Sequence, residues 1–194
     1  MGEPLKRNVS RFLLNSMFST SFGDYSVLCS AGLPEIYSHF VERARLTEEF
    51  DLRESDGEIC FVGVARDSSW PFLVVAQHYL PAGGGFHPGI LIVAETNVAF
   101  VGAGERLLAY DLVAPKRLWE DAADCGFWSW ARHDSYVLMS AELELAAWDL
   151  DGTKLWSTFV EPPWEYEVRA GQVELDVMGN RSSFPVRLGP PPRG

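Results

Sequence analysis

The side chains best able to do chemistry are few and scattered. The histidines are His39, His78, His87 and His133. They form no HxH, HxxH or HExxH pair, and a zinc site wants three or four convergent ligands, so no metal and no cofactor are expected. Cys29, Cys60 and Cys125 are widely spaced and contain no CxxC. They read as reduced, buried thiols packed as small hydrophobes in a cytosolic protein. Glu142 and Glu144 in Ala141-Glu-Leu-Glu-Leu145 alternate with leucines and fall on one face of a strand. Two close carboxylates could serve a hydrolase, and His133 with Asp134 is the other pair such an enzyme could use. Alternation alone also explains the two glutamates, as the wet face of an antiparallel sheet. Gly83-Gly84-Gly85 and Gly102-x-Gly104 precede strand-like sequence, so they lack the helix N-terminus of a phosphate loop. No residue is assigned a catalytic role.

Binding residues stand out better. Glu161-Pro162-Pro163-Trp164-Glu165-Tyr166 places aromatic rings among acids, behind two prolines whose fixed φ stiffens the loop. Glu161, Trp164, Glu165 and Tyr166 are therefore the leading candidates for a binding surface. Arg132 and His133, in the aromatic stretch Phe127 to Asp134, come second and read mainly as turn residues. The net charge is −11, from 16 basic and 27 acidic residues. That balance excludes direct binding to nucleic acid or anionic membranes, which need basic patches. Between Glu142 and Asp176 the acids greatly outnumber Lys154 and Arg169. Such a run is either a solvated face or a docking surface for a basic protein.

These residues need a scaffold. The chain has 194 residues, of which 47% are hydrophobic, enough for one domain with a small helical attachment. Its apolar runs, such as Gly89 to Ala94, are too short to span a bilayer, and the N-terminus does not resemble a signal peptide. Residues 1–56 read as a helical or mixed segment packed on a sheet. Leu5, Val9, Phe12, Leu13 and Met17 recur at helical spacing. The clearer helix runs from Leu33 to Phe50, with Ile36, Phe40 and Ala44 in one row beside Tyr37 and Val41. Residues 57–189 read as a β-repeat domain with turn signals every eight to twelve residues, and 190–194 as a flexible tail. The expected fold is thus mainly β with a small N-terminal helical part.

Within the β region two segments match. Ala109-Tyr110-Asp111-Leu112 is followed by Lys116 and Trp119, and Ala147-Trp148-Asp149-Leu150 by Lys154 and Trp156. The aspartates are 38 residues apart, the period of a four-stranded propeller blade. Each carboxylate can bond the amides of its turn, and each tryptophan can fill the space between neighbouring sheets. Ala109-x-Asp111…Lys116-x-x-Trp119 resembles the blade signature of PQQ-type and WD-repeat-like β-propellers, with Ala114-Pro115 in place of Thr-Gly. The resemblance covers about residues 98–188 and implies blade architecture, not a cofactor. Residues 58–188 hold about three and a half such blades, fewer than the four to eight of closed propellers. An incomplete or minimal propeller, an antiparallel meander of blade-like hairpins, is therefore expected. Its open edges need cover, which the N-terminal helix is expected to supply. Three functions fit: a non-catalytic module for a basic protein partner, such as an immunity-type inhibitor of a toxin; a hydrolase using Glu142 and Glu144; or a structural module that self-associates through its open edges as a homo-oligomer.

Overall fold

A computed structural model describes residues 17–67, 69–81 and 87–191. Along the chain run β1 (Phe18–Phe22), β2 (Tyr25–Ala31), α1 (Tyr37–Arg43), β3 (Leu46–Phe50), β4 (Glu58–Arg66) and β5 (Leu73–Tyr79). Next come β6 (Gly89–Val93), β7 (Val98–Ala103), β8 (Arg106–Asp111), β9 (Lys116–Ala122), β10 (Phe127–His133), β11 (Tyr136–Ala141), β12 (Glu144–Asp149) and β13 (Lys154–Phe159). The last strands are β14 (Trp164–Arg169), β15 (Gln172–Val177) and β16 (Asn180–Pro185). They build four successive sheets, ordered β1-β2-β4-β5-β3, β6-β7-β8-β9, β10-β11-β12-β13 and β14-β15-β16. All pairings are antiparallel except β3 with β5. The expected meander of blade-like hairpins is present, in four units.

Period-two alternation explains the stacking. Alternate residues of each strand face opposite sides, so a strand between two sheets must be apolar on both. Val62, Val64, Leu73 and Val75 meet Val101, Leu108 and Tyr110 between the first and second sheets. Phe100, Leu107 and Ala109 meet Val137, Met139 and Trp148 between the second and third. Leu138, Leu145 and Ala147 meet Val173, Leu175 and Phe184 between the third and fourth. The cross-strand pairs repeat in register. Ala99↔Tyr110, Val137↔Trp148 and Val173↔Phe184 each face the preceding sheet.

The signature residues act as expected. Asp111 accepts from the Val113 and Ala114 amides at 2.8 and 3.3 Å, and Asp149 accepts from the Thr153 amide at 2.8 Å. Trp119 stacks on Trp148 at 5.5 Å and donates its indole N–H to the Gly152 carbonyl at 2.6 Å. Trp156 repeats the device one sheet later, donating to the Val186 carbonyl at 2.6 Å. Each tryptophan thus ties the last strand of one sheet to a turn of the next. Trp119→Phe keeps the ring but loses the donor and is expected to cost about 1 kcal/mol, the net worth of one hydrogen bond. Urea denaturation reads this, and a midpoint equal to wild type would show that the bond contributes nothing.

The N-terminal region departs from expectation. The helix is confined to Tyr37–Arg43, because Leu46–Phe50 is instead drawn into strand β3 alongside β5. Residues before the helix form β1 and β2, with Val27 and Cys29 in the first inter-sheet core. These strands raise three and a half units to four. The first sheet joins strands from both sides of residue 56. The helix covers a face rather than an edge: Phe40 stacks on Phe61 at 5.6 Å and packs with Val74 on the side of the first sheet away from the second. The edge beyond β5 is covered by β3. The helical pattern at Leu5 to Leu13 and the loop Gly83 to Gly85 lie outside the described residues. Among the described residues, no helix is long and apolar enough to cross a membrane.

Candidate functional site

The fourth sheet holds most of the candidate residues and divides them between its two faces. On β14, Trp164, Tyr166 and Val168 turn toward the third sheet, while Glu165, Glu167 and Arg169 turn away from it. The inward side forms an aromatic row. Trp164 stacks on Trp128 of β10 at 5.2 Å with the rings 11° apart, and on Tyr166 at 6.3 Å. Tyr166 meets the His133 ring edge-on at 5.9 Å. The Trp164 indole donates to the Glu142 carbonyl at 3.0 Å, which anchors the ring. The structure thus brings Trp164, Tyr166 and His133 together and adds Trp128, 36% exposed at the rim. Trp128 belongs to the aromatic stretch, but nothing in its spacing marks it as the partner of Trp164, because the two meet only through sheet stacking.

The electrostatics of the row follow from burial. Desolvation pushes the Tyr166 hydroxyl pKa up, partly offset by a hydrogen bond with Ser140. Burial also lowers the His133 pKa below 6.5, against a smaller opposing effect of Asp134. His133 Nε2 has no hydrogen-bond partner among the described residues, so a proton there would be unsupported. A histidine held neutral by the fold leaves the native state binding fewer protons than the unfolded chain. Its contribution to stability is fully present above pH 6.5 and is lost as the pH falls toward the lowered native value. His133→Phe keeps an aromatic ring against Tyr166 and removes the titration. The stability difference between wild type and variant, from urea denaturation, is expected to shift in favour of the variant on acidification below pH 6.5; a difference independent of pH would count against the buried neutral ring.

The other candidates lie elsewhere. Arg132 points to the second sheet and holds Glu95 through both carboxylate oxygens at 2.9 Å. Glu161 is exposed in the connection before β14. Asp134 sits in the β10–β11 turn at φ 49°. Glu142 and Glu144 do not share a strand face. Glu142 lies in the bend between β11 and β12, and Glu144 is buried, accepting from the Asp124 amide at 3.1 Å and facing Lys154 at 3.8 Å. The expected wet-face pair fails because β12 lies between two sheets and begins only at Glu144. The thiols are poor nucleophiles. Burial pushes Cys29 up to about 11 and Cys60 up to about 12. Cys125 is exposed, contrary to expectation, because it lies in the β9–β10 turn at φ 60°. Local desolvation, then the carboxylates of Asp124, Glu142 and Glu105, raise its pKa.

The outward face of the fourth sheet is acidic. Glu165 pairs across strands with Asp176, and Glu167 with Glu174. Like charges directly opposite are destabilising, so this arrangement costs stability. Arg169 bonds Glu167 at 2.6 Å and Arg181 bonds Asp176 at 3.0 Å. Glu165 and Glu174 form no ion pair among the described residues. Together these side chains line a shallow depression of about 520 Å³. Sequence reading placed Glu167, Glu174 and Asp176 in an acidic run without singling them out. The alternation Trp-Glu-Tyr-Glu-Val and Val-Glu-Leu-Asp-Val is the signal that groups them.

No protein-family model matches the chain, and no curated protein matches it. Among solved structures it is similar to a Kluyveromyces lactis Hsv2 with loop 6CD replaced by a Gly-Ser linker, at 12% identity and a TM-score of 0.41. That match covers 68% of this chain and 43% of the other. It is also similar to BamB from Moraxella catarrhalis, at 10% identity and a TM-score of 0.40, over 87% of this chain and 63% of that one. The chain thus spans less than two thirds of either neighbour's length, and its likeness to these β-propellers is partial.

Proposed function

We propose that this chain is a non-catalytic protein-binding module whose fourth sheet engages a basic partner. One observation carries the reading. The cross-strand pair facing the next sheet is Phe100↔Ala109 in the second sheet and Leu138↔Ala147 in the third, but Glu174↔Ser183 in the fourth. Likewise Leu107 and Leu145 give way to Arg181. The face is therefore built against apolar stacking of another sheet, as terminal repeats are. This disfavours self-association through that face. Glu165 and Glu174, which form no ion pair among the described residues, favour a cationic surface. An immunity-type inhibitor of a basic toxin is the finer version of the proposal. A cytosolic location goes with it, supported by the free thiols Cys29, Cys60 and Cys125.

The experiment is a capture assay against basic proteins at low and high salt. Charge reversal at Glu165, Glu167 and Glu174 together is expected to weaken capture by at least about tenfold, equivalent to about 1.4 kcal/mol. The same reversals at Asp51, Glu54 and Asp56, near the first and second sheets, are expected to leave it unchanged. Equal losses from both triple variants would mean a general effect of net charge and would remove the fourth sheet from the proposal.

A further inference from the structure

Among the described residues the fourth sheet has three strands where the second and third have four. β8 ends at Asp111 and β9 starts at Lys116; β12 ends at Asp149 and β13 starts at Lys154, five residues on in each case. β16 ends at Pro185, and five residues on stands Pro190, the first of Pro190-Pro191-Pro192. Proline has no N–H to donate and is confined to edges and bulges of sheets. Pro190 and Pro191, which lie outside any strand, therefore offer no donor to a ladder at the place where the fourth strand begins elsewhere. Among the described residues the outer edge of β16 has no partner strand, and Asn180, Arg181, Ser182 and Ser183 are exposed. An unpaired edge is a template for an added strand.

Resting on the basic-partner reading, we infer that the outer edge of β16 takes up an extended basic segment of a partner protein as a fourth strand. The charge pattern selects this occupant over a second copy of the chain, which carries the same net charge of −11. The register specifies one contact. In the second and third sheets the residues opposite Ala109 and Ala147 are Trp119 and Trp156. The equivalent slot opposite Ser183 opens on the acidic face. A side chain there stands two strand spacings, about 10 Å, from β15, within reach of an extended lysine or arginine directed at Glu174. Glu174 accepts from the Ser183 hydroxyl through Oε1 at 3.0 Å and forms no ion pair among the described residues, so its Oε2 can accept a hydrogen bond from that cation.

The probe is a synthetic eight-residue peptide of alternating lysine and threonine, compared with the same peptide N-methylated at alternate residues. The second keeps the charge and side chains but loses the backbone donors of one edge. Strand addition predicts that N-methylation weakens binding by at least about tenfold, and that the unmodified peptide slows amide exchange in Asn180 to Phe184 but not in β9 or β13. Equal binding of both peptides, or unchanged exchange in β16, overturns strand addition while leaving a basic partner on the acidic face in place. Binding of neither peptide, with capture of basic proteins still lost on charge reversal, overturns it as well. Loss of that salt-dependent capture in every arm removes both proposals. Protection of β16 in the protein alone, with a dimer in sedimentation, assigns the edge to a second copy instead.

Discussion

Trp148→Ala is expected to destabilise the fold by about 4 kcal/mol, at the upper end for large-to-small changes in a packed core. Trp148 is 1% exposed and fills the space between the second and third sheets. Its ring stacks on Trp119 at 5.5 Å and meets Trp130 edge-on at 5.4 Å. Lys154 Nζ lies 5.2 Å above it. Truncation removes these contacts together and leaves a cavity that the two rigid indole neighbours cannot close. Small domains have about 5–15 kcal/mol in all, so the variant is expected to be partly unfolded well below the wild-type denaturation midpoint. Trp148→Phe keeps an aromatic ring and is expected to recover more than half of the loss. A Trp148→Ala midpoint within about 1 kcal/mol of wild type would mean that this seam is not packed as described.

Gly102→Ala carries the second large effect, about 1–3 kcal/mol from overpacking. Gly102 and Gly89 are cross-strand partners on β7 and β6. Together they make a flat patch without side chains, against which the Phe127 ring lies. A Cβ on Gly102 would stand 2.7–2.8 Å from three ring atoms of Phe127, and one on Gly89 would stand 2.9 Å from the same ring. Phe127 is fully buried and lies 5.4 Å from Trp130, so it cannot yield. The check is a double-mutant cycle. Phe127→Leu in the Gly102→Ala background is expected to cost less than the two single changes added together, because the smaller side chain relieves the clash. Additive losses would exclude the ring contact as the cause. Glycine at position 102 is thus required by close approach of another sheet and has nothing to do with a phosphate loop.

Much of the β architecture was legible in order along the chain. From residue 58 onward the chain is a succession of short strands and turns as expected, because alternation and turn residues are local signals. Asp111 and Asp149 were read as turn acceptors and behave so, since the bond spans only a few residues. The N-terminal strands β1 and β2 were missed. Ser19, Thr20, Ser21 and Ser26 break their apolar pattern, and β2 is specified by β4 alongside it more than by its own residues. Leu46–Phe50 read as helix because its spacing fits one, yet pairing with β5 offers five residues of parallel ladder that no helix there can match.

The candidate site was legible in its parts. Trp164 and Tyr166 were singled out by residue type and by the two preceding prolines. Their neighbours Trp128 and His133 come from a strand more than thirty residues earlier in the sequence, and proximity across stacked sheets leaves no mark on spacing. Glu165 was grouped with Trp164, but adjacent residues of a strand face opposite sides, so the acid and the ring serve different surfaces. The sequence by itself determined the repeat, the acidic balance and the alternation that sorts each strand into two faces, because these depend on residue type and period. Only the tertiary structure decided which face meets another sheet and which remains open. That depends on the number of sheets and the order of their stacking, and it alone turns an acidic run from Glu165 to Asp176 into one continuous surface beside a strand edge with no partner among the described residues.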